Sequence, residues 1–113
     1  FRGMVEHEGN RYDAPTLLLT CYQGEVFAGV DLHMAPATKG EKAPVRALGT
    51  AQSWTVGEGH RIYSPAPQAL LAAVRAERKF DMVLPYAEIG NKTVTFDPAD
   101  GAKALAYFPP ACR

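Results

Sequence analysis

The chain has 113 residues, 47% of them apolar, so it can bury a core and is not a knottin-like scaffold that depends on many disulfides. Its 12 basic and 12 acidic residues give a net charge of zero, and no long basic run offers the electrostatic footprint of a nucleic-acid-binding protein. No apolar stretch approaches the roughly 20 residues of a membrane-spanning helix, so we expect no transmembrane segment. The length predicts one domain over 1–113, and the charge pattern predicts no nucleic-acid partner.

Strands are predicted throughout the first third of the chain. A loosely alternating first strand covers 1–8, and an apolar, β-branched strand covers 15–22. Gln23-Gly24 resembles a two-residue hairpin turn, and 25–34 follows as the partner strand with apolar residues at every second position. The inward side chains of this partner strand are Val26, Ala28, Val30, Leu32 and Met34, and its wet face carries Glu25, Phe27, Asp31 and His33.

The middle of the chain is less regular. Residues 35–44 contain prolines, glycine and charges, which predicts a mobile surface loop. A strand over 45–54, broken near Gly49, is expected next. A glycine-rich turn at 57–59 then leads to a short strand over 60–63.

The hydrophobic period changes after Tyr63. Leu70, Leu71 and Val74 form an apolar stripe at helical spacing, which predicts a main helix over 66–79. The prolines that precede it are tolerated in a first helical turn, and Ser64 is the expected cap.

Strand patterns return over 80–86 and 92–96, with a turn at 89–91 between them. A short C-terminal helix is expected to begin after Asp97 or Asp100 and to stop before Pro109-Pro110. Hairpin connections dominate and no βαβ repeat is present, so the predicted fold is α+β. It is mostly an antiparallel sheet, as a sandwich or open barrel, with one main helix and one short helix.

Cys21 and Cys112 are the only cysteines. An even count in a small chain favours a disulfide, which would close nearly the whole chain into one loop and indicate an oxidising compartment. Two buried free thiols are the alternative, because cysteine is among the most buried residue types.

Catalytic and metal-binding motifs are weak in this sequence. In a strand, Glu6 and Glu8 would share one face while His7 points to the other, so the three would not converge on a metal. An enzyme would need His33 or His60 to meet a carboxylate such as Asp31 or Glu58 in a cleft. No serine-hydrolase elbow, thiol-enzyme signature or phosphate loop is present, so we predict no catalytic residue, no metal and no cofactor.

Candidate partner-binding residues come from the loop at 35–44 and from the turn between Trp54 and His60. Trp54 borders a glycine-rich turn, where an exposed aromatic would suit an interface, although core packing is an equal alternative. The predicted binding residues are Trp54, Glu58, His60, Lys39 and Glu41.

The segment from Pro15 through Cys21, followed by a turn and the apolar strand to Leu32, resembles the opening of small exported proteobacterial proteins of the VasI-like, type VI secretion-associated kind. The resemblance continues through Trp54, the proline-flanked helix start at 64–67, and the segment from Gly101 to the terminal Cys112. It implies a periplasmic or secreted location, a Cys21–Cys112 bridge and an accessory or binding role, and it carries over no site residues.

We therefore expect an exported, non-enzymatic accessory domain that binds another envelope or secreted protein. Because the chain starts at Phe1 rather than Met, we expect a mature or trimmed form from which any signal peptide would already have been removed. The alternative is an inhibitor or immunity protein that inserts the loop at 35–44 or the Trp54–His60 turn into the cleft of a cell-wall hydrolase or secreted toxin.

Overall fold

The computed structural model of the chain describes residues 3–5 and 14–112. Within these ranges the backbone forms eight strands and two helices, and a short 3-10 turn ends the chain. In chain order they are β1 (Gly3–Val5), β2 (Thr16–Tyr22), β3 (Glu25–Asp31), β4 (Lys42–Ala47), β5 (Thr50–Val56), β6 (Arg61–Tyr63), α1 (Pro67–Arg75), β7 (Phe80–Tyr86), β8 (Gly90–Phe96), α2 (Gly101–Leu105) and the 3-10 turn Pro110–Cys112.

The described strands form one continuous antiparallel sheet in the order β1-β8-β7-β4-β5-β6-β3-β2. The sheet curls into a half-barrel, which confirms the predicted α+β class and corresponds to the open-barrel alternative. Three tight hairpins, β2–β3, β4–β5 and β7–β8, supply most of the pairing. Adjacent segments therefore pair locally, as expected when short polar turns separate apolar strands.

The predicted hairpin around Gln23-Gly24 is confirmed, with φ of 51° and 78° at the two turn residues. The single broken strand predicted over 45–54 is wrong. Leu48 and Gly49 also take positive φ, 52° and 78°, so the chain reverses there and forms two paired strands, β4 and β5. Two-residue turns with both φ positive match the right-handed twist of the flanking strands.

The predicted surface loop at 35–44 is shorter than expected, because β4 already begins at Lys42. Pro36 forms an isolated bridge with Tyr86, and the Ala37 N–H donates to the Pro85 carbonyl at 2.9 Å. These bonds tie the segment to the end of β7.

Strand β3 is also shorter than predicted, ending at Asp31 instead of residue 34. His33 has a φ of 58°, a left-handed conformation that ends the strand. Leu32 stays buried, and its N–H donates to the His60 carbonyl at 2.9 Å. The end of β3 is thereby fixed to the turn before β6.

The core lies on the concave face of the sheet, where α1 packs against β3. Alternate residues of β3, β4 and β7 are buried, in agreement with the period-two pattern. Among the most completely buried side chains are Leu32, Trp54, Ile62, Leu70, Met82, Leu84, Tyr86 and Phe96.

Helix α1 ends four residues before the predicted boundary at residue 79. Glu77 takes a φ of 55°, its N–H donates to the Val74 carbonyl, and the Arg78 N–H donates to the Ala73 carbonyl. This pair of bonds is a Schellman motif, which satisfies the last carbonyls of the helix. The Glu77 carboxylate also accepts the Ala102 N–H at 3.2 Å and so connects α1 to α2.

The start of α1 also differs from the prediction. Ala66 is the N-cap and makes no side-chain capping bond, whereas Ser64 accepts the Ala66 N–H through its hydroxyl at 2.9 Å. Ser64 therefore stabilises the turn that leads into the helix and is not its cap. Pro67 occupies the first turn, as predicted, because its missing N–H would have no helical partner there.

The cysteine pairing is confirmed. Cys21 of β2 and Cys112 of the final turn form a disulfide with their Cα atoms 5.9 Å apart. The bridge spans 91 positions and attaches the C-terminal segment to the strand at one edge of the sheet. A disulfide of this kind is consistent with an oxidising compartment. None of the helices in the described ranges is both long and apolar enough to cross a membrane.

Candidate binding surface

The convex face of strands β2, β3 and β6 carries exposed aromatic side chains. Inward residues of β2 and β3 pack on the core, so the alternate residues must face solvent. Tyr22 is 62% exposed and Phe27 is 41% exposed on this outer face. Tyr22 lies opposite Glu25 and Phe27 opposite Thr20 in the hairpin register, so the two rings are close neighbours.

Tyr63 of β6 lies across two glycines, Gly29 of β3 and Gly57 directly after β5. A Cβ atom at Gly29 would come within 2.8 Å of the Tyr63 ring, and one at Gly57 would come within 2.4 Å. At Gly29 such a Cβ would come still closer to the Ile62 carbonyl oxygen, at 2.6 Å, so both the backbone and the ring leave no room for it. The two glycines therefore allow the tyrosine to lie close against the sheet, and they restrict its position.

Arg61 precedes this tyrosine by two residues and faces the same side of β6. Its Nε lies 3.5 Å from Oδ2 of Asp31 on the neighbouring strand, and its side chain remains 51% exposed. A hydrogen bond with the Tyr63 side chain and then one with Asp31 raise the pKa of Arg61 above its ordinary value. The guanidinium is therefore a fixed positive charge at the surface.

These side chains surround a depression of about 590 Å³, which we call the aromatic groove. Strand β6 has only three residues, so the outer face beyond Tyr63 is left open beside β3. The volume falls within the range of small-ligand and peptide sites. The groove is lined by Thr20, Tyr22, Phe27, Arg61 and Tyr63.

Trp54 is not part of a surface, and its predicted partner-binding role is wrong. The side chain is 0% exposed within the core, because β5 turns this residue toward the concave face. Its Nε1–H donates to Oε1 of Gln52 at 2.8 Å, so the polar atom of the indole is satisfied within the protein. The alternative that the sequence left equally open, core packing, is the observed one.

The other four predicted binding residues are exposed at one end of the sheet. The Glu41 carbonyl accepts the Val56 N–H at 2.9 Å, which places the loop before β4 beside the turn that carries Glu58 and His60. Lys39 lies in the same loop, one turn before the strand. These residues form a second exposed region, which we call the loop end, and their role in binding stays a prediction.

His33 lies at the loop end between two side chains. Its Nε2 is 3.0 Å from the Thr16 hydroxyl, and its Nδ1 is 3.5 Å from Oδ1 of Asp31. The order hydroxyl, imidazole and carboxylate is that of a hydrolase triad. However, Oδ1 of Asp31 already accepts the His33 backbone N–H at 2.9 Å, and its Oδ2 faces Arg61.

The His33 side chain is also 38% exposed, whereas catalytic groups of this kind act most effectively in sites that exclude water. The bonds to Asp31 and Thr16 instead stabilise the left-handed turn that ends β3 and hold that turn against the start of β2. We therefore interpret this trio as structural.

Across residues 3–5 and 14–112 there is no group of three or more histidine, cysteine or acidic residues that could hold a metal ion. Glu6, His7 and Glu8, which the sequence analysis considered as ligands, lie outside the described residues.

Comparison with known proteins finds no matching family model, no matching curated protein and no matching solved structure. The VasI-like resemblance in the sequence therefore stays a hypothesis.

The binding residues predicted from the sequence did not include Tyr22, Phe27, Arg61 or Tyr63. One signal was available, because the alternation of β3 already placed Phe27 on the wet face of the strand. A large aromatic side chain at a position predicted to face water is the observation that points to this groove.

Proposed function

We propose that this chain is an exported, non-enzymatic protein-binding domain, and that the aromatic groove is its principal contact surface. The observation that supports the proposal is the exposure of Tyr22 and Phe27 around a surface arginine. Tyrosine and arginine are the residue types that most often dominate binding energy at protein interfaces. Aromatic side chains that serve only the core would be buried, as Trp54 is.

The location is proposed from the disulfide. Disulfides form and persist mainly in oxidising compartments, so the bridge between an edge strand and the C-terminal segment supports a location in the periplasm or outside the cell. We propose another envelope or secreted protein as the partner. The VasI-like resemblance favours an accessory role in secretion, and the groove is compatible with that role.

Site-specific photo-crosslinking tests the contact surface. A benzophenone amino acid replaces Phe27 in one protein and Leu48 in a matched control, because these positions are 41% and 39% exposed. In an envelope extract of the encoding organism, we expect position 27 to capture a partner that position 48 does not. Equal capture at both positions, or none at position 27, would contradict the proposal.

Purified partner then allows a quantitative test. Tyr22→Ser should weaken binding about tenfold, because truncating an exposed interface aromatic commonly costs this much. Tyr107→Ser provides the control, since Tyr107 is 85% exposed but does not line the groove. An equal loss of affinity in both variants would show that the groove is not the specific contact surface for the partner.

The inhibitor or immunity hypothesis predicts that a different surface of the domain binds the same partner. Binding would then depend on the loop end, so Glu58→Gln and His60→Ala would weaken it while Tyr22→Ser would not. Hydrolysis of an activated ester that disappears in Thr16→Val would contradict the non-enzymatic part of the proposal, because Thr16 would then act as a nucleophile.

A further inference from the structure

The aromatic groove contains one charged side chain among its lining residues, and that charge is positive. Arg61 is the cation, and the other lining side chains are neutral. Glu25 is the exposed acid at the far end of β3, six residues from Asp31. Glu25 lies opposite Tyr22 and so borders the far end of the groove, but at about 3.3 Å per residue it is roughly 20 Å along the strand from the Arg61 end, beyond the screening length at physiological salt.

Asp31 is close enough to pair with Arg61, but its carboxylate also accepts a hydrogen bond from another group. One carboxylate oxygen of Asp31 accepts the His33 N–H, and the other lies 3.5 Å from Arg61 Nε. A guanidinium has five N–H donors, and only the contacts with Asp31 and Tyr63 engage it among the described residues. Donors therefore remain for a ligand.

The strand register fixes the spacing of the features that a ligand would meet. Arg61 stands opposite Asp31, Tyr63 opposite Gly29, and Phe27 is two residues further along β3. Along the strand direction, each of these three positions is thus about 6.7 Å from the next. Alternate side chains on one face of an extended peptide have the same spacing.

We propose that the groove binds an extended segment of a partner protein, with an aspartate or glutamate on Arg61 and apolar side chains two and four positions away against Tyr63 and Phe27. This inference rests on the proposed function and specifies its ligand. A carboxylate suits the planar fork of arginine, and the aromatic rings suit apolar side chains. Tyr63, restricted by its two glycines, is pre-organised for this contact and loses little entropy on binding.

Two blocked heptapeptides test the ligand chemistry. Each has serines at most positions and leucines at positions 4 and 6, two and four residues after the second residue, which is glutamate in one peptide and glutamine in the other. Nuclear magnetic resonance titration of the isotope-labelled protein reports both affinity and the amides that shift. We expect the glutamate peptide to shift amides of β2, β3 and β6 and to bind about tenfold more tightly than the glutamine peptide.

Arg61→Gln tests whether the preference for the glutamate peptide depends on the guanidinium group. In that variant the two peptides should bind equally, while the unaltered amide spectrum away from β6 shows that the fold is intact. Arg61→Lys should restore only part of the preference, because an ammonium cannot bind a carboxylate in the forked geometry.

Three results would overturn this inference. Equal binding of both peptides to the wild-type groove would exclude the acidic anchor, and the proposed protein-binding function would stand. Failure of both peptides to shift groove amides at millimolar concentration, with specific cross-linking at position 27, would again reject only the ligand. Tighter binding of trigalacturonic acid than of the glutamate peptide would indicate an acidic polysaccharide as the ligand.

Discussion

At the scale of single residues, the outcome depends on which face of a strand a side chain occupies. Trp54 and Phe27 are both aromatic residues in strands, yet the first is 0% exposed and the second 41%. The period-two pattern of β3 was clear enough to assign Phe27 to the wet face. No comparable pattern in β5 assigned Trp54, because most of its neighbours are small or polar.

Tyr86 gives a prediction at this scale. Its hydroxyl is buried and has no hydrogen-bond partner within the described part of the chain, and burial raises the pKa of Tyr86 to about 12. Tyr86→Phe should therefore leave the stability near pH 7 unchanged or raise it by about 1 kcal/mol, because an unpaired buried hydroxyl carries a desolvation cost. Urea denaturation at pH 7 measures the change.

The pH dependence of the same residue follows from the direction of its pKa shift. Unfolded tyrosine ionises near pH 10.0 and folded Tyr86 near 12, so the unfolded state loses its proton first. Wild-type stability should fall between pH 10 and 12, and the fall should be smaller in Tyr86→Phe. Two pKa units correspond to at most about 2.7 kcal/mol, and we expect about 1–2 kcal/mol after solvent screening. Identical pH profiles of the two proteins would contradict this.

At the scale of elements, the local patterns predicted most strands well and the boundaries less well. β2, β7 and the hairpin turn at Gln23-Gly24 agree with the sequence, because strong alternation and glycine-containing turns are local signals. The early end of α1 was missed, since Glu77 in the left-handed conformation is stabilised by its contact with α2. A distant partner of this kind leaves no periodic signal in the sequence.

The packing of Gly57, directly after β5, against Tyr63 of β6 yields a prediction at this scale. Gly57→Ala would bring a methyl group within 2.4 Å of the Tyr63 ring, so the ring must shift. We expect a loss of about 1–3 kcal/mol in the free energy of unfolding, typical of overpacking, and weaker peptide binding in the groove. Urea denaturation and the peptide titration measure the two effects.

The Tyr63→Ala background is the control for this substitution. Without the ring, Gly57→Ala should cost little, so the two substitutions should be strongly non-additive in a double-mutant cycle. Additive losses would show that Gly57 is required for the backbone and not for the tyrosine.

At the scale of the whole molecule, the disulfide connects the C-terminal segment to strand β2 at one edge of the sheet. β2 is the edge strand, and the Cys112 bridge holds the C-terminal turn against it. On the loop-entropy model, closing a loop of this size contributes about 4–5 kcal/mol, mainly by restricting the unfolded chain.

A Cys21→Ser/Cys112→Ser variant should therefore lose up to about 4–5 kcal/mol of stability relative to the oxidised protein, and reductant should destabilise only the wild type. Chemical denaturation with and without reductant measures both effects. Alkylation followed by mass spectrometry provides the check on the starting material, because oxidised protein should accept no label. Equal stability of the variant and the oxidised wild type would contradict the assigned role of the bridge.

The sequence by itself determined the α+β class and most of the element order, apart from the separation of β4 from β5, because strand alternation, turn glycines and a helical stripe are local properties of the chain. It also favoured the Cys21–Cys112 pair from an even count alone. Only the tertiary structure decided which aromatic residues reach the surface. Cross-strand register placed Tyr63 over Gly29 and Gly57, and it brought Arg61 beside Asp31. These residues are far apart in the chain, so no short pattern could bring them together before the sheet forms.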